Sequence, residues 1–146
     1  MPALANAAEE VMIYLLRTNQ DVQDLIQNRM NADQAPIEWQ DKTHLVYELQ
    51  QDFRRRLVHG AESGYRKARF SLWCKDRNRG MTRRLADAVR SVLTVNGRQV
   101  INEVTVLQVL IVDGERDDSV PASDGKDQPE RARTFDCVVH YLASGE

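Results

Sequence analysis

Residues 65–93 read YRKARFSLWCKDRNRGMTRRLADAVRSVL, and a change of period inside this stretch decides the fold class. From Tyr65 to Cys74, the residues Ala68, Phe70, Leu72 and Cys74 alternate with Lys67, Arg69, Ser71 and Trp73. That two-residue period belongs to a strand with one buried face. Past Asp76 the period lengthens: Met81, Leu85, Ala88, Val89, Val92 and Leu93 form one apolar stripe at helical spacing. Asp76 or Asn78 can cap this helix, and Asn96-Gly97 is the expected stop. A strand leading straight into an amphipathic helix points to an α+β domain.

Upstream, Leu45, Tyr47 and Leu49 alternate with Val46, Glu48 and Gln50, so Thr43 to Leu49 reads as a second strand. The two glycines between Leu57 and Gly64 make a turn there, and the two strands a hairpin. Ala5 to Arg17 reads as a helix through Ala8, Val11, Met12, Leu15 and Leu16. Thr18 with Asp21 fits a capping box for a short second helix through Leu25 and Ile26. The polar stretch Asn31 to Pro36 reads as a loop.

Downstream, Val100 to Val112 reads as one long strand whose apolar side switches near Thr105–Leu107. The switch indicates a bulge or a strand covered on both faces. Arg133 to Leu142 is the last strand, with Phe135, Cys137, Val139 and Tyr141 on one face. Between them, residues 113–131 hold seven acidic side chains, glycine and proline breaks and a single large apolar residue, Val120. Such a segment cannot bury enough apolar area to offset its ordering entropy, so a mobile loop is expected. The expected architecture is one domain over residues 1–146, ordered α-(α)-β-β-α-β-β. It has a mostly antiparallel sheet of about four strands with helices on one face.

The chain has 146 residues, 42% of them hydrophobic, enough for one core without disulfide or metal support. No apolar run approaches the ~20 residues of a membrane span, and Met1 to Glu10 has no basic start or apolar signal core. Synthesis in the cytosol is the expectation. Cys74 and Cys137 both sit in apolar strand runs, which favours buried free thiols over a disulfide in a reducing compartment. The net charge of −2 is unevenly distributed: residues 52–84 carry eleven basic and three acidic side chains, residues 1–51 three basic and eight acidic. Surfaces of opposite sign on one small domain suit a head-to-tail oligomer or an anionic ligand.

No phosphate loop, nucleophile elbow or zinc-protease signature is present. His44, His59 and His140 are scattered, with no Cys or carboxylate at ligand spacing. A Cys–His nucleophile would need partners that meet only in the fold, and no local motif favours one. Neither catalysis nor a metal or cofactor is therefore expected. The basic tract Arg54, Arg55, Arg56, Arg66 and Arg69 is read either as a solvated sheet face whose arginines pair with acids on a neighbour or as a nucleic-acid contact. Trp73, on the polar side of its strand, is either an interface anchor or covered by the first helix. Asp117, Asp118 and Asp124 of the acidic segment are placed with these residues as candidate interface positions.

From Leu45 to Leu93 the chain also carries a sequence pattern. A Val-Tyr strand and a glycine turn precede the strand RKARFSLW and the helix RRLADAVRSVL, with Val22 to Ile26 and Arg29 upstream. In this order it resembles the tail-completion proteins of long-tailed bacteriophages, which are related to tail-terminator and tail-to-head joining proteins. The likeness covers residues 8–112 in layout and is carried by residues 44–93. It implies a hexameric ring at the junction of tail tube and capsid connector, with a sheet framing a channel for double-stranded DNA. It carries no catalytic residues. The acidic segment 113–131 and the run Arg54–Arg56 depart from the pattern. A different class, a nucleic-acid-binding α+β module using the basic segment 54–84, is the alternative; the two strands after the helix count against it.

Overall fold

The computed structural model describes residues 7–39, 42–56, 62–120 and 130–142, without the side chains at 37, 52–56, 62–63, 113–114, 118–120 and 130. Helix α1 spans Ala7–Thr18 and buries Ala8, Val11, Met12 and Leu16. Helix α2 spans Gln20–Ile26. Its cap is Asn19, not Thr18: Asn19 Oδ1 accepts from the Val22 N–H at 3.0 Å. Thr18 instead belongs to α1, where its hydroxyl donates to the Tyr14 carbonyl at 2.8 Å. Gln27 ends α2 in the left-handed region at φ 49°.

Strand β1, Met30–Ala32, runs parallel to β2, His44–Arg56. A short 3-10 turn, Ile37–Trp39, lies between them. Strand β3, Glu62–Asp76, pairs antiparallel with β2, with Tyr47 opposite Leu72. Residues 57–61, most of the expected turn, lie outside the described residues. Helix α3, Arg79–Val92, is capped by Asn78, whose Oδ1 accepts from Met81 N–H at 3.1 Å. Then come β4, Val95–Ile101, β5, Val104–Val120, and β6, Glu130–Leu142. The sheet order is β1-β2-β3-β6-β5-β4, so the last strand in the chain sits in the middle.

The sheet is thus six-stranded and mixed, not a four-stranded antiparallel one. Two features account for the difference. Strand β1 is three residues long, too short for alternation to show, and it takes the first two residues of what reads as a polar loop. The expected strand over 100–112 is in fact two strands joined at Asn102 and Glu103, both with positive φ. A two-residue connection of that kind suits the twist of antiparallel strands. The expected helix stop at Asn96-Gly97 also moves: α3 closes at Leu93, and Gly97, at φ 91°, lies in a bulge of β4 between Asn96 and Gln99. The bulge expected near Thr105–Leu107 is present between Val106 and Gln108. The expected loop over 113–131 narrows, because β5 continues to Val120 and β6 begins at Glu130. Acidic side chains are compatible with strand pairing when cations face them, as described below. Residues 121–129 lie outside the described residues.

The three helices cover one face of the sheet. Ala68, Phe70, Leu72 and Cys74 of β3 and Phe135, Cys137, Val139 and Tyr141 of β6 point to them. Leu85, Ala86, Val89 and Leu93 of α3 close the core over these strands.

Candidate interface

Alternation that sends Phe70 and Leu72 under the helices sends Arg69, Ser71 and Trp73 to the opposite face. Arg69 Nε donates to Asp136 Oδ2 at 2.8 Å, and Ser71 Oγ donates to Asp136 Oδ1 at 2.8 Å. Register brings them together, since Ser71 lies opposite Asp136. Trp73 sits between Val46 of β2 and Thr134 of β6, on the side away from α1. Covering by the first helix is therefore ruled out for it. Val138, Leu110 and Val112 continue the same face, so it mixes apolar side chains with a paired ionic centre. At its rim the Tyr65 and His140 rings stack with centroids 5.8 Å apart. Burial, then the Lys67 charge, holds the His140 pKa below the ordinary imidazole value.

Asp117 belongs to the other side. It lies opposite Arg133 in the β5–β6 register, 2.9 Å from Arg83 and 3.0 Å from Arg133. Glu115 lies between Arg133, at 2.7 Å, and Arg90 of α3. The hydrogen bond from Arg83, opposed by desolvation and helped by Arg133, holds the Asp117 carboxyl below its usual range. This cluster ties the β5–β6 arm to α3 and pairs one arginine of the basic segment 52–84, Arg83, within the chain. Arg66, by contrast, faces the helix side, opposite Tyr141 and Arg54. Arg54, Arg55 and Arg56 are in β2, but their side chains and that of Asp118 lie outside the described residues, as does Asp124.

The expected candidate set is therefore split. Arg69 and Trp73 share the open face; Arg66 and Asp117 do not. The residues missed were Asp136, Glu115 and Arg133. Asp136 carried a signal, as the single acid in an otherwise apolar and neutral strand from Thr134 to Leu142, but only the register names Arg69 as its partner.

Cys74 and Cys137 are free and buried. Burial, then the neighbouring Asp136 charge, pushes the Cys137 thiol up to about 12, and burial raises Cys74 further. Neither is a nucleophile near neutral pH. Among the described residues, no group of three or more His, Cys, Asp or Glu could hold a metal ion, and no helix is long and apolar enough to cross a membrane.

No protein-family model matches the chain, and no curated protein does. A solved structure does: a chain of the "Virion of native gene transfer agent (GTA) particle" superposes with a TM-score of 0.62 at 13% identity. The match covers 98% of this chain and 100% of that one. At such identity the likeness is one of fold.

Proposed function

We propose that this chain is a structural protein of a phage-like virion, a ring-forming component of the tail-completion, tail-terminator or head–tail joining kind at the junction of tail and capsid connector. The observation that carries the reading is the end-to-end fold match to a chain of a virion particle, with neither chain leaving a substantial part unmatched. The sequence resemblance over residues 44–93 points the same way. The open sheet face adds support. It offers Trp73, Leu110 and Val112 around a satisfied ion pair, the mixture of aromatic anchor and polar contacts common at protein interfaces.

In this reading the chain's partners are further copies of itself, tail-tube or connector proteins, and duplex DNA that passes without sequence-specific binding. A heterologous contact between surfaces of opposite charge closes into a ring when the rotation allows. Particles purified from producing cells test this directly. Mass spectrometry should find the chain in the particle, and electron microscopy should place it in a sixfold ring between tail and head. Its absence from particles, or its presence as single copies or twofold dimers, would sink the proposal.

A further inference from the structure

Where β3 stops and β6 starts, the structure has an open cleft of about 500 Å³ lined by Asp76, Arg77, Asn78, Arg79, Gly80 and Arg131. Asp76 lies opposite Arg131 in the sheet register, which brings arginines from two distant segments together. The one carboxylate is already engaged: Asp76 accepts from the Thr43 hydroxyl and, at 2.8 Å, from the Asn78 N–H. Of the leading amides of α3, those of Met81 and Thr82 are engaged, both donating to Asn78. The guanidinium groups of Arg79 and Arg131 remain as donors in the cleft.

Arg79 and Arg131 form no ion pair or side-chain hydrogen bond among the described residues. They differ in this from Arg69, Arg83, Arg90 and Arg133, each of which meets a carboxylate within 3.2 Å. No apolar side chain lines the cleft. A protein partner needs a desolvated apolar centre to bind with useful strength, and this wall has none to offer. A polyanion needs only the cations, because release of its counterions drives binding. Guanidinium groups also match phosphate oxygens in planar, two-point geometry.

We propose that this cleft binds the backbone phosphates of duplex DNA without sequence preference. The cleft is defined by its own geometry; only the choice of DNA as the polyanion at hand rests on the virion reading. It is distinct from the Arg54–Arg56 run and from the face that carries Arg69.

The test is fluorescence anisotropy of the full chain on a labelled duplex, repeated across salt concentrations. Each phosphate contact contributes about 0.9 to the slope of log K against log salt, so Arg79→Ala with Arg131→Ala should flatten the slope by about 1.8. Arg98→Ala, which removes an exposed cation on β4, should leave the slope unchanged. Arg79→Gln and Arg131→Gln, each expected to flatten it by about 0.9, keep the test readable if the double variant fails to fold. Salt-independent or undetectable binding overturns the proposal, and so does an unchanged slope in the variants. Polyglutamate of matched charge competing as well as duplex would assign the cleft to an acidic protein and overturn it too. None of these variants touches the open sheet face, so a failed slope test leaves the virion reading standing. Absence of the chain from particles would leave the cleft standing.

Discussion

His140 shows how one side chain links sheet register to pH response. It lies opposite Lys67 in the β3–β6 ladder and stacks on Tyr65, whose hydroxyl meets its Nδ1. Its depressed pKa means that the unfolded chain takes up a proton at a higher pH than the folded chain does. The contribution of neutral His140 is therefore complete above the ordinary value of about 6.5 and falls as the pH drops below it. Urea midpoints measured from pH 7.5 down to 5.0 should fall in the wild type and fall less in His140→Gln. Equal declines would show that another group sets the response. Asp117 adds a second loss further into acid, because its folded carboxyl is held below the usual range. None of this was legible from three scattered histidines. A histidine's partners are set by strand register, which the spacing along one strand does not contain.

At the scale of elements, α3 was the most legible part of the chain. Its stripe of Leu85, Val89 and Leu93 is fully buried, and of the two caps expected, Asp76 or Asn78, it is Asn78 that holds its start. Leu85→Ala should lose about 2–5 kcal/mol, the range for buried leucine truncations next to partners that cannot collapse. A denaturant titration showing a loss below ~1 kcal/mol would mean that the helix does not pack as described. Strand pairing was harder to read. Val100 is 72% exposed on an edge strand, yet it sits in a run of β-branched residues that looks continuous through Val112. The break at Asn102 and Glu103 is a matter of two backbone angles, and Asn is one of the few residues that adopts a positive φ readily.

At the scale of the whole molecule, the acidic segment stops being a loose excursion once its neighbours are known. Glu115 and Asp117 lie against Arg90, Arg83 and Arg133, which anchors the arm before residue 121 is reached. Replacing residues 121–129 with a short Gly-Ser turn should therefore leave the folded core intact, since closing a shorter loop changes the entropy only slightly. Circular dichroism and the urea midpoint should stay near wild type. A collapse of stability would show that those residues carry folding contacts. The same replacement in producing cells reads function separately: unchanged head–tail joining and infectivity would remove any assembly role from that tip.

The α+β class, the helix α3, the buried faces of β3 and β6 and the burial of both thiols followed from the sequence alone. Each depends on periodicity or on side-chain chemistry within one element, and both are local properties. Tertiary structure alone decided that β6 enters the middle of the sheet, that β1 adds a parallel edge, and that Arg69 meets Asp136 while Asp117 meets Arg83. The gathering of Arg77, Arg79 and Arg131 around one cleft belongs to the same class of fact. These are contacts between residues far apart in the chain. They are selected by the requirement to bury all the apolar faces at once while giving every buried polar group a partner, and no single segment encodes that requirement.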